Sequence, residues 1–194
     1  MNIAGNPVKF GKDSAVLNNV IFISGYLKLK FKIDFGEALK VTDDEISELL
    51  TIVYVDGGYA SKDIAEKIFD PVAVKDRGIL FASRETSNME LAGMVIIVPP
   101  DSKSIVRAKA NECEMHLLGV KPLYRKHGLG KSLITSVIDF AEKNKWSKII
   151  LWTQHSMLEA QGLYESFGFL KTEEMTKNGI AFFIYERECI SQTR

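Results

Sequence analysis

The segment Tyr124-Arg-Lys-His-Gly-Leu-Gly-Lys131 crowds Arg125, Lys126, His127 and Lys131 around two glycines. A glycine-rich turn entering a helix leaves backbone amides unsatisfied, and such amides wrap a phosphate. Three phosphate-binding patterns compete for it. A nucleoside-triphosphate loop, Gly-x-x-x-x-Gly-Lys-Ser/Thr, finds its tail in Gly130-Lys131-Ser132, but its first glycine falls on Arg125. A dinucleotide fingerprint, Gly-x-Gly-x-x-Gly, needs a third glycine where Leu133 stands. What remains is Arg-x-x-Gly-x-Gly, from Arg125 to Gly130. Just upstream, Glu112, Glu114 and His116 alternate. On a strand they share one face at ~7 Å intervals, where acids and a histidine can do general acid–base work. Cys113 points away from that face, which argues against a Cys–His nucleophile. With only Cys113 and Cys189, neither a disulfide framework nor a four-ligand zinc site is expected, and no metal site is assigned.

Those residues need elements to hold them, and periodicity supplies the outline. Tyr26–Phe35 alternates, with Leu27, Leu29, Phe31, Ile33 and Phe35 on one face and Lys28, Lys30, Lys32 and Asp34 on the other. That is a half-exposed strand. Thr42-Asp-Asp-Glu45 is a capping box opening a helix with the stripe Ile46, Leu49, Leu50 and Val53, which Gly57-Gly58 stops. A shorter helix follows around Ser61–Phe69, closed by Pro71. Ile79–Arg84 and Leu91–Val98 flank the turn Glu85–Asn88 as a hairpin, and Pro99-Pro100 ends it. Glu112–Val120 is extended. A long helix then runs from near Gly130 to Lys143, with Leu133, Ile134, Val137, Ile138 and Ala141 at helical spacing. Lys148–Trp152 is a buried strand, and Ser156-Met-Leu-Glu159 reads as a second capping box for a helix reaching Gly168. Phe169–Glu174 and Ile180–Glu188 flank the turn Lys177-Asn178-Gly179. The order β-α-α-β-β-β-α-β-α-β-β predicts a mixed α/β domain with one parallel pair made by the central strand–helix–strand crossover.

Composition bounds the rest. The chain has 194 residues, 46% hydrophobic, with 25 Lys+Arg against 25 Asp+Glu. A net charge of zero disfavours a protein that coats nucleic acid. No apolar run approaches the ~20 residues of a membrane span, and the N-terminus lacks a secretory pattern, so a cytoplasmic protein with no membrane partner is expected. Residues 1–24 read as an N-terminal extension of unknown role preceding a single domain over 25–194.

Glu114-Met-His-Leu-Leu-Gly-Val-Lys-Pro-Leu-Tyr-Arg-Lys-His-Gly-Leu-Gly130 resembles the coenzyme A loop of the GNAT superfamily of N-acetyltransferases. Ala160-Gln-Gly-Leu-Tyr-Glu-Ser-Phe-Gly-Phe169 resembles the superfamily's second signature, a tyrosine-bearing helix ending in Gly-Phe. The resemblance spans about Tyr26 to Glu188. It implies a GNAT-like, mostly antiparallel sheet with a splayed central parallel pair flanked by helices, and acetyl-CoA as acyl donor. It further implies that backbone amides of Lys126, His127, Gly128, Leu129, Gly130 and Lys131 hold the pyrophosphate, with Arg125 and Lys131 as charge partners. The stretch Leu118, Gly119 and Val120 would bond the pantetheine arm. Tyr164 takes the place of the acid that protonates the leaving thiolate, and Glu114 the place of a general base, with His116 beside it. The acetyl group would pass directly to a primary amine of a small molecule, peptide or protein, the alternative being a catalytically silent CoA-binding or sensory module. Met157 stands where many members carry an asparagine that bonds the cofactor. The acceptor side falls to Tyr54–Phe69, Pro99–Lys109 and the Lys177–Gly179 hairpin, none of which names an amine. Oligomeric state stays open, a homodimer included.

Overall fold

The computed structural model describes residues 17–21, 30–36 and 40–189. The alternating run ends in β2 (Lys30–Phe35), where Phe31 and Ile33 are buried and Lys30 is exposed. The first half of that run, to Leu29, lies outside the described residues. β1 (Leu17–Ile21) pairs antiparallel with β2 and forms a sheet edge, so part of the 1–24 stretch read as an extension is a strand of the sheet.

Thr42 caps α1 (Asp43–Leu50) as its sequence dictates: its hydroxyl accepts from the Glu45 amide at 3.2 Å, and the Glu45 carboxylate accepts from the Thr42 amide at 2.9 Å. The helix continues into a π-helical turn (Thr51–Val55), and the chain turns away at Gly58 with φ +78°. α2 (Lys62–Ile68) follows. Pro71 does not close that helix; it opens another, α3 (Pro71–Asp76), capped by the Asp70 carboxylate on the Ala73 amide at 2.8 Å. Proline has no amide to lose in a first turn, so the residue that ends one helix also starts one.

The remaining strands are β3 (Ile79–Glu85), β4 (Leu91–Val98), β5 (Glu112–Val120), β6 (Lys148–Gln154), β7 (Leu170–Lys177) and β8 (Ile180–Glu188). The sheet order is β1-β2-β3-β4-β5-β6-β8-β7, antiparallel everywhere except between β5 and β6. Asn178 (φ +51°) and Gly179 (φ +76°) make the tight β7–β8 turn. α4 (Leu129–Lys143) and α5 (Leu158–Glu165) complete the helices. The second capping box does not form. Ser156 is spent in the turn leaving β6, its hydroxyl on Gln154 Oε1 at 3.5 Å, and Met157 at the start of α5 has no capping oxygen.

Helices cover both faces, which is why β4 reads as an unbroken apolar run. Val95 and Ile97 pack with Leu133, Ile134 and Val137 of α4, while Met94, Ile96 and Val98 pack with Ile46, Leu49 and Leu50 of α1. One break in this sheet matters for function. The parallel register pairs Glu112 with Lys148, Cys113 with Ile149 and Glu114 with Ile150, and then stops, although both strands continue. Between His116 and Gly119 β5 carries two residues, Leu117 and Leu118, against the one that β4 carries between Ile96 and Met94, a β-bulge on β5 with Leu117 in the left-handed region at φ +52°. A bulge bends its strand and sharpens its twist, so β5 turns away from β6. The result is a V-shaped opening whose unpaired side is the β5 segment after Glu114.

Candidate active site

At the wide end of the V lies the glycine-rich loop. β5 ends at Val120, a single 3-10 turn (Pro122–Tyr124) follows, and the chain enters α4 through Lys126 (φ +62°) and Gly128 (φ +79°). No side chain caps α4. Among the described residues, the amides from Lys126 through Lys131 have no hydrogen-bond partner, the first being that of Ser132, on the Gly128 carbonyl at 3.0 Å. Left-handed residues alternating along a run of free amides form an anion-binding nest, and the helix dipole adds to it. The backbone of this loop is thus arranged as a cradle for an anion. The Leu129 side chain is buried, so only its amide is available, whereas Lys126 and Lys131 are exposed. Arg125 turns its Nε onto the Val120 carbonyl at 3.1 Å.

The cradle is anchored from below. Lys121, 4% exposed, bonds Glu90 at 2.8 Å and lies 3.2 Å from Glu48, and the Tyr124 hydroxyl donates to Glu90 at 2.7 Å. Burial works against the Lys121 charge, but the two carboxylates outweigh it and hold its pKa above that of an ordinary lysine. Gly119 is pressed against α1: a Cβ there would meet Leu49 at 3.1 Å.

Glu114 and His116 sit on one face of β5, as their spacing requires, at the narrow end of the V. The Glu114 side chain is fully buried, and its carboxylate accepts from the amides of Val106 (3.0 Å), Arg107 and Ala108 (2.7 Å) and from His116 Nε2 at 2.9 Å. Burial alone would raise its pKa; the bonds from His116, Ala108, Arg107 and Val106 bring it below the ordinary carboxylate value. An ionised carboxylate only accepts, so His116 donates to it through Nε2, and Nδ1 is the ring nitrogen that Glu114 does not hold. The His116 ring packs edge-on to Trp152 of β6, centroids 4.7 Å apart. Glu112 stands apart, accepting from the Lys109 amide at 2.8 Å. Cys113 is core, with its Sγ on the Lys148 carbonyl.

Because the folded pKa of Glu114 is depressed, its contribution to stability is complete above the unfolded value near ~4.3 and fades as pH falls through the folded one. Glu114→Gln should cost about 3 kcal/mol at pH 7, as expected when a buried charge network loses its centre, and the gap from wild type should narrow toward pH 3. Denaturant unfolding of both proteins across that range reads the effect.

Tyr164 comes from α5 on the opposite face. Its ring is 7% exposed, against Phe169 (6.0 Å) and Tyr185 (6.2 Å), and burial pushes its pKa well up. Its hydroxyl makes no hydrogen bond among the described residues, yet it is not sealed from solvent. The sequence marked Tyr54 only as the start of an acceptor-side segment and gave it no role of its own. Its hydroxyl donates to the Leu118 carbonyl at 3.0 Å, at the bulge. Burial raises the Tyr54 pKa, and Tyr164 raises it further. Helical periodicity runs Val53 inward and leaves Tyr54 beside it; the π-helical turn re-aims it, and nothing in residues 51–55 announces that turn.

The acceptor-side segments also meet here. Gln154 Nε2 donates to the Tyr59 carbonyl at 2.7 Å, which ties β6 to the α1–α2 connection, and Arg107 bonds Glu173, which ties the 99–110 loop to β7. Among the described residues no group of His, Cys, Asp or Glu is arranged to hold a metal, and no helix is long and apolar enough to cross a membrane.

Comparisons with known proteins bear on this geometry. A family model described as the acetyltransferase (GNAT) family matches residues 44–169. A Schizosaccharomyces pombe protein named as an uncharacterized N-acetyltransferase is 40% identical over 75 residues, 39% of this chain and 46% of the relative. Human N-acetyltransferase 8 is 32% identical over 99 residues, 51% of this chain and 42% of the relative. The chain thus spans less than half the length of these curated relatives. Among solved structures, a Bacillus subtilis acetyltransferase in complex with CoA superposes with a TM-score of 0.58 at 22% identity, over 82% of this chain and 99% of the other.

Proposed function

Because this chain belongs to the acetyltransferase (GNAT) family, a family of acyltransferases whose donor is acetyl-CoA, we propose that it moves the acetyl group of acetyl-CoA directly to a primary amine. The observation that carries the reading is the opening between β5 and β6, with an unbonded phenol on one side and a carboxylate-held imidazole on the other. Acetyl-CoA supplies an activated thioester. The amides from Lys126 through Lys131 hold its pyrophosphate, and the unpaired edge of β5 at Leu118, Gly119 and Val120 faces the pantetheine arm.

Acyl transfer needs the amine as a free base and the thiolate as a leaving group that does not return. His116 Nδ1 takes the amine proton. Glu114 fixes the ring through Nε2 and stabilises the imidazolium that forms, so it is a positioning residue and the base is its neighbour. Four bonds already occupy the Glu114 carboxylate and depress its basicity, which disfavours it as the proton acceptor. As the C–N bond forms and the C–S bond breaks, Tyr164 protonates the sulfur. Burial keeps the Tyr164 phenol protonated across the physiological range, the state an acid must hold. Two free cysteines, one of them buried, suit a reducing compartment, and the proposal places the protein in the cytoplasm.

Tyr164→Phe removes the acid and little else, since its hydroxyl bonds no other group among the described residues. CoA release measured with a panel of amines should show kcat lowered about 100-fold or more, with KM for acetyl-CoA within threefold of wild type. Binding of acetyl-CoA by the wild type with no amine ever accelerating CoA release would favour a silent CoA-binding module instead.

A further inference from the structure

The arginines of the described residues divide by their partners. Arg84 pairs with Glu45, Arg107 with Glu173 and Arg187 with Glu142. Two have no carboxylate partner among the described residues. Arg125 belongs to the phosphate loop. Arg77, between α3 and β3, has no phosphate nearby in that reading and is half-buried all the same.

Its surroundings locate it. Arg77 Nη2 donates to the Ile68 carbonyl at the end of α2. The next residue, Phe69, is buried against the Tyr54 ring, centroids 5.2 Å apart, and Tyr54 reaches the Leu118 carbonyl at the bulge. On the other side, Ser102 Oγ donates to the Arg77 carbonyl at 2.8 Å, and Ser102 lies in the loop whose later amides fold onto Glu114 above His116. Arg77 therefore stands where α2 and the 99–110 loop converge on the acceptor side. A guanidinium offers five N–H groups in a planar fork, and the Ile68 carbonyl uses only one nitrogen. Burial disfavours its charge, as it should for a cation with no counter-ion among the described residues.

We propose that Arg77 binds the carboxylate of the acceptor, so that the amines this protein acetylates are amino acids rather than simple amines. The inference rests on the acetyl-transfer reading above. A fork-to-carboxylate contact supplies a missing counter-charge and orients the amine toward His116, and charge-assisted pairs of this kind are worth roughly tenfold to a hundredfold in affinity.

The test compares matched acceptors: phenylalanine with phenylalaninamide and phenethylamine, and leucine with leucinamide, on wild type, Arg77→Gln and Arg77→Lys. Wild type should prefer the free acids by tenfold or more in kcat/KM. Arg77→Gln should abolish that preference by raising KM for the acids, with KM for acetyl-CoA and rates on the amides unchanged, and Arg77→Lys should restore part of it. Equal use of acids and amides by wild type, or an Arg77→Gln loss shared by both, would overturn the assignment. Amines acetylated while every acid is refused would overturn it too and leave the transferase reading standing; no acetylation of any amine would remove both.

Discussion

His116→Ala is expected to lower kcat by about 10²- to 10⁴-fold, the range removed with a positioned general base. Acetyl-CoA affinity should stay within a factor of two, because the proposed phosphate cradle is built elsewhere, from the amides of Lys126 to Lys131. The size of the effect follows from the division of labour on β5. Glu114 is fully buried and saturated by three loop amides and one imidazole N–H, whereas His116 retains an unoccupied Nδ1. Free imidazole added to His116→Ala should return part of the rate, since the substitution opens the volume beside Trp152. Glu114→Gln should lose both rate and stability, and imidazole should not rescue it. A His116→Ala enzyme with wild-type kcat would move the base to another group.

Gly128→Val has a comparable effect on the other half of the reaction. Gly128 sits at φ +79°, a region closed to β-branched side chains at a cost of about 1–3 kcal/mol. Relieving that strain rotates the flanking peptides, and the amides no longer point to one centre. Acetyl-CoA affinity measured by calorimetry should fall more than about 100-fold, the worth of two or more charge-assisted bonds. Lys126→Ala is the matched control. Its side chain is exposed and its amide survives, so affinity should fall only a few-fold. Unchanged affinity in Gly128→Val would displace the phosphate site from this loop.

Elements with strong periodicity were legible in the sequence. The hairpin, the β5 run and α4 carry their apolar residues at spacings that only one element type satisfies, and they lie where those spacings put them. Punctuation was less reliable. Pro71 opens α3 and Ser156 caps nothing, because proline suits a first turn as well as a stop, and a serine becomes a cap only if the chain leaves the preceding strand at the right residue. The site was readable where a motif is backbone-defined, at Gly128, and where a period of two sets a face, at Glu114 and His116. It was unreadable where long-range contact decides the role. Three amides from the 106–108 loop fold onto Glu114 and so change its chemistry, a pairing that spacing within β5 cannot foretell. Tyr54 depends on a π-helical turn with no composition signal, and Arg77 stands out only once the other described arginines have been placed.

The central claim is that the opening between β5 and β6 brings the acetyl thioester to an amine deprotonated by His116. Single-turnover transfer from acetyl-labelled acetyl-CoA tests it most directly, with amine product and CoA quantified together for wild type and the His116→Ala/Tyr164→Phe pair. The account predicts equal amounts of acetylated amine and CoA, no label left on the protein, and near-complete loss of transfer in the double variant with acetyl-CoA still bound. Label retained on the protein, or transfer undiminished in the double variant, would contradict it.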